Sequence, residues 1–376
     1  MNATIATVAA ATVKAELPVP IVFGDWVMNK REFVVVRVTT VDGISGWAFS
    51  LTRDGAVAEQ VRRHLASVYS GTSVDSPEAT FAIARGRSQP SYASGIGLRA
   101  LSLVDLAVWD ARARHADLSI AELLGGSSLT MPATAIVAYP PSLMGPDETG
   151  AQVASLVAEG WQRFKLSVAG TEALSAGRLR AARAAAPDAW IGCDGAWTYS
   201  DASKAASFVN GLEDVGLGWF EDVFPPGNAH VVADLRRQTQ TPIAMGDEQG
   251  GAYYPQALID CSAVDVIRID LTCMGGISGG RRVIEECLRQ GVSVAPHMYA
   301  HVHSQVLSAW GLCDLPIEWG VPWTGVDPFA DSLRPVELDS GGRMRPLDPS
   351  PGFGDLVNFE WIASQEVDDP DHVLAG

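Results

Sequence analysis

One repeated unit constrains this chain more than any other feature of it. From about Met131 onward, short apolar strands recur, each followed by an Ala-rich helical stretch. The strands read as Ala133–Ala138, Arg163–Val168, Ala189–Cys193, Gly218–Phe220, Ile243–Met245, Val264–Ile269, Ser293–Ala295 and Leu315–Ile317. Buried apolar strands alternating with helices imply a parallel sheet covered on its outer face. Eight such units over about 200 residues imply a closed β/α barrel. The competing architecture is a doubly wound open sheet. It requires a Gly-rich phosphate turn after its first strand, and that turn is missing. The Gly cluster at Gly275–Gly280 comes late and reads as the turn after strand six.

The residues before the barrel, about 1–130, mix strands and helices. Glu32–Thr40 is β-branched and reads as a strand, with a turn at Val41–Ile44 and a partner strand at Ser45–Ser50. Val57–Ser67 and Leu98–His115 read as helices, and Ala121–Gly126 closes a third on glycine. Residues 338–376 carry Gly and Pro turn signals and read as a segment that leaves the barrel and returns to the first domain. The barrel then occupies 131–337.

Composition narrows the function. The net charge of −17 would repel a duplex or an anionic membrane surface, which argues against both as partners. It does not forbid a small acidic substrate where a bound cation supplies local positive charge. Five cysteines, with no C-x-x-C pair, argue against a disulfide framework and for a reducing, cytoplasmic setting. The Ala-rich start, Ala3–Val13, lacks the basic flank of a secretory leader. No apolar run approaches the roughly 20 residues that span a bilayer.

The ends of the strands carry the chemistry. Strand two holds Lys165, strand three runs into Asp194, strand four into Glu221, and strand five into Asp247 and Glu248. Strand six runs into Asp270, strand seven into His297 and strand eight into Glu318. In a β/α barrel the C-terminal strand ends form one rim, where catalytic groups sit. One acid after a strand is often a helix cap, but capping is a poor account of ionisable groups at seven successive strand ends. Carboxylates converging on one mouth repel, and a bound cation relieves that repulsion. Asp194, Glu221 and Asp247 lie one βα unit apart, so adjacent strands present hard oxygen ligands suited to Mg²⁺, or similarly Mn²⁺, rather than zinc. Asp270 and His297 fall on neighbouring strands. An Asp beside a His fixes its tautomer and supports the imidazolium, which makes a general base near neutral pH. Glu318 lies beyond the base and could donate a hydrogen bond to a developing oxyanion.

This ordered set resembles the enolase superfamily, most closely its mandelate racemase subgroup. Arg99–Asp110 followed by Glu122–Gly126, Gly275–Ile277 after Asp270, and Pro346–Phe353 in the tail are similar as well. The resemblance implies an α/β fold: a modified (β/α)7β TIM barrel under an α+β N-terminal capping domain. It implies one Mg²⁺ and abstraction of the proton α to a carboxylate, with the metal stabilising the enediolate. By position it implies Asp194, Glu221 and Asp247 as ligands. Glu248 is the alternative third ligand; Asp247 is preferred because it follows a small residue, Gly246. It implies Asp270 and His297 as the dyad, Glu318 as the electrophilic acid, and Lys165 as the first lysine of the family's K-x-K motif. Two positions depart from the pattern. The second lysine of K-x-K is Ser167, and the Asn often found two residues after the first ligand is Ala196.

Racemisation needs an acid/base on each face of the carbanion, so loss of one disfavours it. Dehydration of a sugar acid to a 2-keto-3-deoxy acid needs one base and fits better. The alternatives are an epimerase or cycloisomerase using Lys165 as a second base, and a catalytically inactive relative. Pro20–Trp26 and Phe49–Asp54 resemble the loops that close over the barrel mouth. Arg53 could bind a distal carboxylate or hydroxyl of the substrate, with a solvated surface role as its alternative. Trp26 and Trp323 could wall the pocket, core packing being the alternative for both. Lys165 could contact the substrate carboxylate. The expected partners are therefore a small carboxylate substrate and further copies of the chain in a homo-oligomer, as is common in the family.

Overall fold

Long runs of small and β-branched residues build the N-terminal sheet, as the computed structural model of the chain shows. It describes all residues except 1–2, 24–25, 88, 142, 247–248, 321–336, 347–349, 356–358 and 370–376, and the side chains of Phe23 and Trp26. Strands β1 (Ile5–Phe23) and β2 (Trp26–Thr40) pair antiparallel, with a register shift between Glu16 and Ile21. Pro18 and Pro20 lie in that interval, where each lacks the N–H a ladder needs. Within the Ala3–Val13 segment, Ala9, Ala10, Ala11 and Val13 are buried in β1. Within Pro20–Trp26, residues Pro20–Phe23 belong to β1, and Phe23 is the register partner of Trp26 in β2. Strand β3 (Ser45–Leu51) pairs with β2 across the expected turn.

The helix Gly95–Ala116 lies directly on β3. Gly46 permits this approach, since a Cβ there would stand 2.2 Å from Ala107 O and Ala111 N. The helix ends at Asp117 in the left-handed conformation, and a Ser119–Glu122 capping box opens the short turn Ile120–Leu123 that follows. The helix Pro77–Arg87 carries no signal strong enough to have been expected.

Eight parallel strands follow: β4 (Met131–Ile136), β5 (Arg163–Ser167), β6 (Trp190–Asp194), β7 (Trp219–Glu221), β8 (Ile243–Met245), β9 (Val266–Ile269), β10 (Ser293–Pro296) and β11 (Ile317–Gly320). One helix separates each pair, the last being Ala300–Ala309, which makes seven βα units and a closing strand among the described residues. The hydrogen-bonded order is β10-β9-β8-β7-β6-β5-β4-β11. The sheet curls until β10 approaches β11, and Met298 N donates to Glu318 Oε2 at 3.1 Å across that seam. Strand β12 (Arg343–Met344) pairs antiparallel with β4. Strand β13 (Glu366–Asp368) pairs with β1, giving the N-terminal sheet the order β13-β1-β2-β3. Observed strands end one to three residues later than several of the expected ones. Asp194 and Glu221 therefore close their strands, and Glu318 sits inside β11 rather than after it.

Candidate active site

Parallel pairing brings the strand-end residues to one level. Asp194 is the register partner of Ser167 on one side and of Glu221 on the other. Asp194 does not cap the next helix, which has its own cap in Asp201. Its Oδ1 accepts from Ala196 N at 2.8 Å, and its Oδ2 accepts from Ser167 Oγ at 3.4 Å.

Lys165 is buried on β5 between two carboxylates. Its Nζ donates to Glu221 Oε1 at 2.7 Å and to Glu318 Oε1 at 2.6 Å. Arg268, in the middle of β9, completes a quartet that sequence reasoning missed. Its Nε stands 3.2 Å from Glu221 Oε2, and its Nη2 bonds Glu318 Oε1. Its Nη1 donates to Ala295 O and Pro296 O at 3.3 and 3.0 Å, and the guanidinium lies 5.2 Å from the Trp219 ring. The signal that could have found it is an Arg between two isoleucines in a strand otherwise buried.

Two cations thus face two carboxylates in a dry layer. Burial pushes Glu221 up to about 7, against the pull of Arg268 and Lys165. Burial also acts to raise Glu318, but Arg268 and Lys165 outweigh it and hold that carboxyl well below the usual range. For Lys165 burial opposes the charge, and Glu221 and Glu318 override it and keep the ammonium protonated. Glu318, expected as a hydrogen-bond donor to an oxyanion, is an acceptor at both oxygens here: Oε1 accepts from Lys165 and Arg268, and Oε2 accepts from Met298 N. Lys165 is the donor in this layer.

The dyad is formed. His297 Nδ1 lies 3.2 Å from Asp270 Oδ2, and Thr272 N donates to Asp270 Oδ1 at 2.7 Å. Burial raises the Asp270 carboxyl, but the bond to His297 and the charges of His297, His303 and Arg99 lower it below its ordinary value. An ionised Asp270 makes Nδ1 the protonated nitrogen of neutral His297 and leaves Nε2 as the atom that accepts a proton. His303 clamps the two loops. Its Nδ1 bonds Met298 O at 2.8 Å, and its Nε2 accepts from Leu271 N at 3.1 Å.

The rim is backbone-strained. Ala138, Ala196, Trp197, Asp222, Met298 and Tyr299 all have positive φ, each within a few residues of a strand end. Such non-glycine outliers persist where the surroundings enforce them, and they cluster at functional sites. Ala196 holds with φ +47° a conformation that Asn adopts more readily.

A cavity of about 90 Å³ opens here, with Lys165, Ser167, Asp194, Asp222 and His297 in its wall. Arg31 and Arg53 reach it from the capping sheet, the Arg53 guanidinium 5.6 Å from the Trp197 ring. A larger groove of about 700 Å³ lies between the helices Pro77–Arg87 and Gly276–Arg289 and contains none of the strand-end residues. Asp247, Glu248, Trp323 and the Trp26 side chain lie outside the described residues. Among the described residues, no three His, Cys, Asp or Glu side chains are placed to hold a metal ion. Asp194 and Glu221 nevertheless offer two neighbouring hard-oxygen donors, and buried Glu221 Oε2, though 3.2 Å from Arg268 Nε, accepts no well-aligned hydrogen bond. Two such hard-oxygen donors suit a divalent cation.

Comparison with known proteins assigns the class. Residues 148–360 match the family described as enolase C-terminal domain-like, and residues 4–125 match the mandelate racemase / muconate lactonizing enzyme N-terminal domain. The chain belongs to the enolase superfamily, in its mandelate racemase / muconate lactonizing enzyme group. It is 25% identical over 365 residues to the D-galactarolactone cycloisomerase of Agrobacterium fabrum, covering 91% of this chain and 93% of that one. It is 28% identical over 368 residues to a D-galactonate dehydratase family member of Streptomyces bingchenggensis, covering 86% and 87%. In fold it is similar to a racemase from Streptomyces coelicolor solved with bound magnesium, with a TM-score of 0.84, 19% identity, and coverage of 96% and 99%.

Proposed function

We propose that this protein abstracts the proton α to the carboxylate of a sugar acid and eliminates the β-hydroxyl as water, giving a 2-keto-3-deoxy acid. The observation that carries this reading is the Asp270–His297 pair on the wall of a cavity whose opposite lysine is locked as a cation. His297 Nε2 takes the α-proton while Asp270 supports the imidazolium. The C–H electron pair moves into the carboxylate, which becomes an enediolate. The Lys165 ammonium, held by Glu221 and Glu318, offers its charge to that developing anion. The enediolate collapses, the C–O bond to the β-hydroxyl breaks, and the imidazolium returns its proton to the leaving oxygen. The enol formed then tautomerises to the keto acid.

Mg²⁺ fits Asp194, Glu221 and a third ligand from Asp247 or Glu248. It would supply Lewis-acid stabilisation of the enediolate oxygens. Ser167, in place of a second base, and Lys165, bonded to Glu221 and Glu318, disfavour racemisation. A second reading, cycloisomerisation, shares the same proton abstraction with a ring oxygen as leaving group, and the name of the Agrobacterium relative favours it.

The test is a library of mono- and diacid sugars incubated with Mg²⁺, with keto acids detected as semicarbazones and His297→Asn as control. A keto acid that the variant fails to make is the expected result. Exchange of the α-proton in D2O without a keto acid would move the reading to epimerisation, and a keto acid formed from lactones alone would move it to cycloisomerisation. No exchange with any acid would overturn it in favour of an inactive relative.

A further inference from the structure

The capping sheet places one buried cation in the cavity that the chemistry above does not use. Arg31 stands in β2 opposite Ala15 of β1. The period of two puts it on the side of Phe33 and turns the neighbouring Glu32 away, to an ion pair with Lys14 at 3.2 Å. Arg31 is 5% exposed. Its Nη2 donates to the Tyr139 hydroxyl at 2.9 Å, and its Nε is buried with no acceptor.

The contrast with the two barrel cations beside the cavity is what matters; Arg178, also buried without a carboxylate, donates to the carbonyls of Ser167 and Ala138 instead. Lys165 and Arg268 each face two carboxylates. Among the described residues no carboxylate pairs with Arg31. A guanidinium cannot shed its proton, and a buried charge without a counter-charge is costly. Asp194 and Asp222 line the same cavity without pairing with Arg31, so the charge is accounted for when a bound anion reaches the guanidinium itself. A sugar hydroxyl would satisfy a donor without offsetting the charge. A carboxylate does both, because its two oxygens match the planar fork.

We propose that Arg31 is a substrate-binding residue for a second carboxylate, so that the substrate is a dicarboxylate with its reacting end at Lys165 and His297 and its distal end at Arg31. Tyr139 is the positioning residue that aims the guanidinium. This inference rests on the acid-substrate reading above and narrows it from sugar acids at large to diacids.

The test uses matched pairs that differ only in the distal group: tartrate with threonate, xylarate with xylonate, and galactarate with galactonate. Binding is measured by calorimetry with Mg²⁺ present, in a His297→Asn background that prevents turnover. At least one diacid should bind about 30-fold more tightly than its monoacid partner, the effect of one charge-assisted pair in a dry site. Adding Arg31→Gln should erase that gap by weakening the diacid alone, and Arg31→Lys should restore part of it. Equal affinity within every pair overturns the proposal, as does equal weakening of both members by Arg31→Gln. Monoacids that bind and, with wild-type protein, exchange their α-proton in D2O while diacids gain nothing would sink the diacid assignment and leave the proposed chemistry standing. Binding of no acid would remove both.

Discussion

At the scale of single residues, the candidate site is a charge ledger written in a dry layer. Arg268 and Lys165 balance Glu221 and Glu318, and all four side chains are buried. Removing one cation leaves a carboxylate pair facing a single ammonium, so Arg268→Met should lower the unfolding free energy by about 3–5 kcal/mol in urea titrations. Arg268→Lys should recover only part, because an ammonium cannot reach both carboxylates and two carbonyls at once. A loss below about 1 kcal/mol would mean the quartet is not held together by charge. Which residues could be read from sequence follows from where they stand. Asp194, Asp270 and His297 each meet the end of an apolar run, so the run itself points to them. Arg268 lies mid-strand, where inward and outward positions alternate and one isolated strand does not say which is which. Arg31 lies in β2 among Asn29, Lys30 and Glu32 and looks like a surface residue until the fold turns its face inward. The protonation of Glu318 was illegible for a different reason: it is set by Lys165 and Arg268, 153 and 50 positions away respectively.

At the scale of elements, the βα rhythm was legible because each strand is short, apolar and closed by its own turn. The antiparallel sheet was only half so. β2 and β3 carry β-branched runs, whereas β1 is rich in Ala and interrupted by Lys, Glu and Pro, and its identity as a strand comes from pairing with β2 and β13. One contact between elements has a measurable signature. Asp105, on the helix Gly95–Ala116, accepts from Ser278 N at 3.0 Å at the start of the helix Gly276–Arg289. Burial pushes its carboxyl up to about 7, partly opposed by the contact with Ser278. The folded state therefore holds a proton that the unfolded chain releases near pH 4. The stabilisation is complete below the unfolded pKa and is lost as pH rises towards about 7, at about 1.4 kcal/mol per pH unit. Asp105→Asn keeps the acceptor without the titration. Its stability relative to wild type should climb between pH 4 and pH 7 and then level off. Parallel stability curves for the two proteins would show that Asp105 stays ionised when buried.

At the scale of the whole molecule, the cap and the barrel meet directly beside the candidate base. Leu51 N on β3 donates to the Tyr299 hydroxyl at 2.8 Å, two residues after His297, and Phe49 stacks on His301 with centroids 4.8 Å apart. His301 is buried in this joint with its Nδ1 unbonded, and burial lowers it to about 3. His303 is lowered by burial as well. The sign here is opposite to that of Asp105. The unfolded chain takes up protons near pH 6.5, while folded His301 refuses one until about 3. Stability contributed by neutral His301 is present above the unfolded pKa and is lost as pH falls below it, again by about 1.4 kcal/mol per unit. His301→Phe preserves the stacked ring and cannot titrate, so the difference between the two proteins isolates this one group. Below pH 6.5 the wild type should lose stability relative to the variant, down to the lowest pH at which both remain folded. Because the strain falls on the joint, hydrogen exchange should register it locally. Protection of the Leu51 amide in the wild type should drop on acidification more than that of amides in the barrel strands, and the variant should retain it. If Leu51 instead exchanges in step with the barrel strands at every pH, the cap and barrel open as one unit and His301 is not the point at which acid parts them.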